Sequence, residues 1–199
     1  MSYAIVGFGK IGQALAHAFA RRNIEVTVAS RRPAEALAPQ ALAIGPAVVA
    51  KSLKDAVEAK TILLAVPFGE HAEVAKALPG WEGKTIIDAT NLFPGPDEPG
   101  GLLGSAIVAK AFSGAKLVKG FNHLGAATLA SDPVVEGGHR VVFLSSDDEE
   151  AVAPVAALAK QLGFAPVELG KLNEGGALVH ARGRTWGPLI FQDLFKKEQ

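Results

Sequence analysis

The sequence predicts an α/β protein built on a doubly wound, mainly parallel sheet, and three observations lead to that fold class. An apolar strand at 3–6 runs into Gly7-Phe8-Gly9-Lys10-Ile11-Gly12 and then into an amphipathic helical run. Strand-like and helical segments then alternate along the chain, as they do where helices connect parallel strands. The segment 61–66 is continuously apolar, which is typical of a strand buried on both faces.

The remaining elements follow in order along the chain. We predict strands over 24–29, 47–50, 61–66, 84–87, 116–121, 140–144 and 165–169, and helices over 33–46, 51–59, 69–78, 101–112 and 149–162. The stretch 92–101 alternates proline with glycine and predicts a loop. From about residue 173 the pattern is helical, with a break at Gly187-Pro188. We therefore expect one domain over 1–199, with a helical extension over 173–199 that packs on it or on a partner subunit.

Composition narrows the class of protein. The 199 residues are 49% hydrophobic, their formal net charge is +0, and there is no cysteine. A neutral chain lacks the electrostatic footprint of a nucleic-acid-binding or membrane-surface protein. Without cysteine there is no disulfide, thiolate nucleophile or iron–sulfur ligation, so any redox chemistry depends on a bound cofactor. With no signal peptide and no apolar run of ~20 residues, we expect a cytoplasmic protein with small-molecule partners.

The glycines of the first turn predict a pyrophosphate-binding loop. Gly7 allows the tight turn, Gly9 lets the backbone approach the phosphates, and Gly12 lets the helix pack closely on the strand. The N–H groups at the start of that helix then face the phosphates. We therefore assign cofactor binding to the whole segment Gly7, Phe8, Gly9, Lys10, Ile11 and Gly12.

The end of the second strand predicts which dinucleotide binds. Proteins that bind NAD carry an acidic residue there for the ribose 2′-hydroxyl, whereas this chain has Ser30, Arg31 and Arg32. One hydroxyl and two guanidinium groups suit a 2′-phosphate. The sequence therefore predicts NADP(H) as the cofactor, with a solvated basic loop as the alternative.

Three further strand ends reach the same edge of the predicted sheet, where ligands of open α/β sheets bind. We assign cofactor binding to Ala65, Val66 and Pro67 and to Thr90 and Asn91, and substrate binding to Phe121, Asn122 and His123. Thr90 and Asn91 have loop capping as an equal alternative. No catalytic residue is assigned with certainty; His123 is the candidate for the pocket, and a structural histidine is its alternative.

Other polar groups predict no metal site. His17 lies among polar helical positions, and we predict that it is exposed and has no functional role. The spacing of His71, His139 and His180 does not suggest metal ligands. The acidic run 147–150 opens a helix, where carboxylates favour the helix dipole. Near the carboxyl end, an anion site and a subunit contact are equally good interpretations of the cluster formed by His180, Arg182, Arg184 and Trp186.

On these residues the chain resembles the coenzyme F420-dependent NADP oxidoreductases, a family of small Rossmann-type dinucleotide-binding proteins. The matching segments are 7–12, 30–32, 65–67, 119–126 and 187–190. The resemblance implies that the middle strand end contacts the nicotinamide and that 121–126 lines a deazaflavin pocket. It also implies hydride transfer between two stacked rings, which needs orientation and little acid–base help.

The sequence thus predicts an NADPH-dependent oxidoreductase that passes a hydride to a planar acceptor, deazaflavin F420 or a flavin. One alternative is an imine or 2-hydroxyacid reductase, since the nucleotide domain of pyrroline-5-carboxylate reductase is similar; that chemistry usually adds a helical dimerisation domain of roughly a hundred residues. The other is a non-catalytic NADP-sensing module. An apolar segment at 189–191 suggests a homodimer.

Overall fold

The computed structural model describes residues 1–92, 104–179 and 195–197. Its strands are β1 (Tyr3–Val6), β2 (Val26–Ala29), β3 (Val48–Ala50), β4 (Thr61–Leu64), β5 (Thr85–Asp88), β6 (Lys116–Gly120), β7 (Val134–Val135), β8 (Gly138–Ser145), β9 (Ala165–Glu168) and β10 (Phe195–Lys197). Its helices are α1 (Lys10–Arg21), α2 (Ala34–Ile44), α3 (Leu53–Ala56), α4 (His71–Ala75), α5 (Gly104–Ala111), α6 (Ala126–Ala130), α7 (Glu149–Gln161) and α8 (Gly175–Leu178), with a 3-10 turn at Phe68–Glu70. None of the helices in these ranges is long and apolar enough to cross a membrane.

The strands form a mixed sheet in the order β10-β8-β6-β5-β4-β1-β2-β3. The six strands from β6 to β3 are parallel, and β8 joins β6 in the antiparallel sense. The chain winds outward from β1 to β3 and then returns to the other side of β1 with β4. The predicted doubly wound, mainly parallel Rossmann-type sheet is confirmed. The point where the strand order reverses lies between β1 and β4, where such sheets bind ligands.

Helices cover both faces of the sheet because its strands alternate between two apolar clusters. Ile5 of β1 packs into one cluster, together with Leu15 and Phe19 of α1. Its neighbours Ala4 and Val6 pack into the other. Apolar residues buried on both faces fix the strand as a central one, and this places the turn after β1 at the middle of the sheet edge.

Several elements are shorter than the sequence predicts, and two were missed. The helix predicted over 69–78 is a 3-10 turn followed by the five residues of α4, since Pro67 and Gly69 interrupt its start. By contrast, the 33–46 segment forms the eleven-residue α2. The short α6 and β7 carry too few periodic positions to be recognised from sequence.

The end of the chain departs from the prediction. The helical extension expected over 173–199 contains the four-residue α8, but Phe195–Lys197 is strand β10, antiparallel to the start of β8. The prediction is wrong at 195–197, because pairing with a distant strand outweighs a local helical pattern. Residues 180–194 of the extension, with the cluster at 180–186, the break at 187–188 and the apolar segment at 189–191, lie outside the described residues, as does most of the 92–101 loop.

Candidate nucleotide-binding site

The turn between β1 and α1 has the tight packing that its glycines predict. Gly7 has a positive φ of 101°, and a Cβ there would overlap the carbonyl of Ala65. A Cβ on Gly12 would overlap the carbonyl oxygen of Gly7. The first residues of α1 therefore lie directly against the turn, and the turn lies against the end of β4.

Gly9 differs from these two glycines because the direction in which a side chain would point is open. Apart from its two chain neighbours, no described residue has an atom within 4 Å of the position that a Cβ would take. Helix α1 begins at the next residue with no side-chain cap and no acidic residue in its first turn. The N–H groups of that turn are thus available to an anion, and a pyrophosphate fits this cradle.

A cavity of about 390 Å³ opens beside this turn. Three strand ends form its walls, and the predicted residues that line it are Gly7, Phe8, Gly9, Ser30, Arg31, Arg32, Ala65, Val66 and Pro67. Lys10, Ile11 and Gly12 belong to the turn but are not among the described residues that line the cavity. Residues that the sequence analysis did not single out complete the wall: Val6, Leu53, Glu70, Glu73 and Val74. Val6 adjoins the glycine turn, and Glu70, Glu73 and Val74 follow Pro67 closely, whereas Leu53 comes from α3.

The end of β2 presents the cationic groups at the cavity edge. The Ser30 hydroxyl accepts a hydrogen bond from the Arg32 backbone N–H at 3.1 Å, which fixes the turn. The Arg31 guanidinium forms an ion pair with Glu70, with 2.9 Å between Nη1 and Oε1. Arg31 is 82% exposed, so its side chain can reorient towards a ligand. Within the described ranges, no carboxylate lies at ion-pair distance from Arg32.

A buried ion pair connects the next two strand ends. Lys119 of β6 donates to Asp88 of β5, with 3.1 Å between Nζ and Oδ2, and also to the carbonyl of Thr90. Asp88 further accepts hydrogen bonds from Thr90 and from the Ser105 hydroxyl. The predicted candidate Thr90 is thus held in a charged network that is closed to solvent. Asp88 and Lys119 were not predicted as site residues, although a lysine within an apolar strand signals a buried partner.

Asn91 and Asn122 bond to each other across the same edge. The Asn91 amide donates to the Asn122 carbonyl at 2.8 Å, and the Asn122 amide donates to Asn91 Oδ1 and to the Val179 carbonyl, each at 3.1 Å. The Asn122 side-chain oxygen is buried without a partner in the described part of the chain. The two predicted candidates therefore form one rigid contact between the ends of β5 and β6.

His123 and Phe121, both predicted to bind substrate, lie in the interior. The His123 ring is 4% exposed, and Nε2 donates to the Val141 carbonyl at 3.1 Å. Burial lowers the pKa of His123 to about 4, so the ring is neutral at physiological pH. Phe121 has a positive φ of 59° and packs edge-on against Phe164 at a centroid distance of 5.9 Å. Neither lines the cavity described above, and their contact with a substrate stays a prediction.

Two other polar predictions agree with the described structure, the exposure of His17 and the capping of a helix by the acidic run at 147–150. His17 is exposed on α1. The acidic run at 147–150 caps α7, because the Asp148 carboxylate accepts from the Glu150 backbone N–H at 3.0 Å. Within 1–92, 104–179 and 195–197, no group of three or more histidine and carboxylate side chains is placed to hold a metal ion.

Comparison with known proteins agrees with this geometry. Residues 2–92 match the family model described as NADP oxidoreductase, coenzyme F420-dependent. A hypothetical protein of Sinorhizobium meliloti is 39% identical, with a TM-score of 0.91 over 99% of this chain and 96% of that one. A protein of Arthrobacter sp. FB24, provisionally named an F420-dependent NADP-reductase, is 26% identical, with a TM-score of 0.72 over 87% of this chain and 86% of that one.

A third relative is longer than this chain. Metalloreductase STEAP3 of Rattus norvegicus is 26% identical over 174 residues, which are 84% of this chain and 33% of that protein. The chain spans about a third of the length of the curated relatives it matches. The glycine turn, the basic end of β2 and the end of β4 all lie inside residues 2–92, the part of the chain that matches the family model of coenzyme F420-dependent NADP oxidoreductases.

Proposed function

We propose that the chain is an NADPH-dependent oxidoreductase that transfers a hydride between NADP(H) and a planar acceptor, a deazaflavin or a flavin. The observation that carries the proposal is the cavity into which the glycine turn, the two arginines and the end of β4 converge. When bound, NADP(H) supplies or takes the hydride, and the protein's contribution is to bind and orient.

The nucleotide half of the proposal rests on matched chemistry. The open side of Gly9 and the uncapped start of α1 suit the pyrophosphate. Arg31 and Arg32 suit the 2′-phosphate, since each charge-assisted hydrogen bond contributes about 1.5–3 kcal/mol. Val66 and Pro67 then continue the cavity wall towards the end of β5, where the nicotinamide ribose would lie.

The acceptor half rests on the rigidity of the neighbouring edge. The Asn91–Asn122 contact and the buried Asp88–Lys119 pair fix the ends of β5 and β6 relative to each other. Hydride transfer between stacked rings depends on such fixed geometry more than on proton transfer. His123, neutral and buried, fits a positioning role better than that of an acid. The description of the matching family names coenzyme F420, and this makes a deazaflavin our first candidate.

The first experiment follows NADPH oxidation by absorbance under anaerobic conditions. Oxidised F420 is the acceptor and flavin mononucleotide the paired acceptor. Saturable turnover with F420 supports the proposal and its first candidate, whereas turnover with the flavin alone moves the acceptor to a flavin. Measurable NADPH binding without turnover with either acceptor would contradict the proposed hydride transfer.

A second experiment tests the phosphate clamp. Replacing Arg31 and Arg32 together with alanine should reduce the preference for NADPH over NADH by roughly 10- to 1,000-fold, the value of one or two charged hydrogen bonds. The matched control is Lys160→Ala with Lys171→Ala, which removes the same charge from exposed positions outside the cavity wall. An unchanged preference in the arginine variant would show that the clamp is wrongly assigned.

Two other functions remain open as alternatives. An imine or 2-hydroxyacid reductase would oxidise NADPH with a cyclic imine or a 2-oxoacid and would be inactive with both planar acceptors. A sensing module would bind NADPH tightly and turn over none of them. The homodimer and the cytoplasmic location stay predictions; sedimentation of the purified protein and fractionation of cells test them.

A further inference from the structure

One side chain of the proposed clamp already has an anionic partner in the protein. Arg31 at the end of β2 pairs with Glu70, which lies in the 3-10 turn after β4 on the opposite cavity wall. The Glu70 backbone N–H donates to the Pro67 carbonyl at 2.8 Å, so the turn holds this residue in place. A carboxylate therefore sits where the clamp is expected to receive a phosphate.

The charges along the cavity wall balance. Among the described residues that line it, the ionisable ones are Arg31, Arg32, Glu70 and Glu73. Glu73 forms an ion pair with Lys76, with 2.7 Å between Oε1 and Nζ, so its charge is neutralised by a residue outside the clamp. Glu70 has Arg31 as its partner, and its side chain is only 32% exposed. Of the two acids, Glu70 is the one that competes directly with an incoming anion for a guanidinium.

We propose that Glu70 is a specificity-determining residue that lowers the preference for NADP(H) over NAD(H). Its carboxylate holds Arg31 in the nucleotide-free protein, and the 2′-phosphate must displace it to reach the guanidinium. The proposal rests on the phosphate clamp of the proposed function. It concerns only the 2′-phosphate, since NAD(H) has no group that competes for Arg31.

Two opposing effects decide whether Glu70 tightens or weakens binding of the 2′-phosphate. Glu70 could favour binding by holding Arg31 in position, but an ion pair with one partner 82% exposed restrains a side chain weakly. Repulsion is the larger effect: for an assumed separation of about 6 Å, a carboxylate weakens the binding of a doubly charged phosphate roughly tenfold in water and roughly threefold after screening by physiological salt. Removing the Glu70 charge should therefore tighten binding of the 2′-phosphate.

Calorimetric titration with two small probes tests this without requiring turnover. Adenosine 2′,5′-bisphosphate carries the 2′-phosphate and adenosine 5′-monophosphate lacks it. In Glu70→Gln the bisphosphate should bind about three- to tenfold more tightly, and the gain should shrink at high salt. The monophosphate should bind as it does to the wild type. Glu73→Gln is the matched control and should show a smaller gain.

The outcomes separate this inference from the function it rests on. A wild-type protein that binds the bisphosphate no better than the monophosphate would overturn the clamp itself. If the wild type prefers the bisphosphate but Glu70→Gln leaves the ratio of the two affinities unchanged or lowers it, the clamp stands and the role of Glu70 is wrong. Equal tightening of both probes would also overturn it, because that result reports general charge and not the 2′-phosphate.

Discussion

Breaking the buried ion pair between β5 and β6 should destabilise the protein far more than breaking an exposed pair on the same strand. The Lys119 side chain is 5% exposed and that of Asp88 is 0% exposed, with 3.1 Å between Nζ and Oδ2. Lys119→Met leaves the Asp88 carboxylate buried without its cation, and Asp88→Asn leaves the Lys119 ammonium without its anion. An uncompensated buried charge of this kind costs about 3–5 kcal/mol.

The double variant should recover most of that loss. With both charges gone, no buried charge is left uncompensated, and exchanging a whole buried pair for neutral groups is often close to neutral; the remaining loss is the hydrogen bond from Lys119 to the Thr90 carbonyl. An asparagine at 88 also keeps an oxygen that accepts from the Thr90 N–H, as Asp88 does at 2.9 Å. For a chain of 199 residues, each single variant should lower Tm by roughly 6–20 °C.

Urea unfolding followed by tryptophan fluorescence measures these free energies, because Trp81 is buried against Phe112 and becomes exposed on unfolding. The matched control is Lys116→Met, on the same strand as Lys119, which breaks exposed ion pairs with Asp148 and Glu150 and should change stability little. The reasoning would be refuted if the single variants lowered the free energy of unfolding as little as this control does. It would also be refuted if the double variant lost as much of that free energy as the two single variants lose together.

Three further predictions concern the histidine and the glycine turn. Burial lowers the pKa of His123 to about 4, below its value of ~6.5 in the unfolded chain. Between these two pH values the unfolded chain binds a proton that the folded protein does not. The free energy of unfolding should therefore fall by about 3 kcal/mol as the pH drops from above ~6.5 towards 4. Unfolding of His123→Gln across that range should lack this loss, and an equal slope in both proteins would contradict the assignment. Gly9→Ala should change stability by less than about 1 kcal/mol, since a Cβ there meets no atom of the other described residues within 4 Å, yet weaken NADPH binding in a fluorescence titration. Gly12→Ala should instead cost about 1–3 kcal/mol of stability, because its Cβ overlaps the Gly7 carbonyl; thermal unfolding that matches the wild type would contradict this.

The nucleotide-binding half could be predicted from sequence because its signals are local. The segments 7–12, 30–32 and 65–67 each follow a strand within a few residues, and each carries its own composition signal in glycine, arginine or proline. Parallel strands place their carboxyl ends at one edge, so the order of strands along the chain already brought these segments towards one site. The structure gathers residues from all three around one cavity.

The acceptor side was less accessible to sequence reasoning. Thr90, Asn91 and Asn122 were recognised as strand-end residues, but their partners were not. Whether His123 lines a pocket or lies in the core depends on which residues pack around it, and Val141 and Phe143 come from the antiparallel β8. No periodic pattern near His123 carries that information.

What the sequence by itself determined was the fold class, the glycine turn after the first strand and the basic end of the second strand, because each depends on residues close together in the chain. Only the tertiary structure decided which charges meet. Asp88 lies opposite Lys119 through the register of β5 and β6, and Arg31 meets Glu70 across 39 residues. Register and the approach of two strand ends are set by the packing of the whole core, so these two charge pairs appear only once the chain is folded.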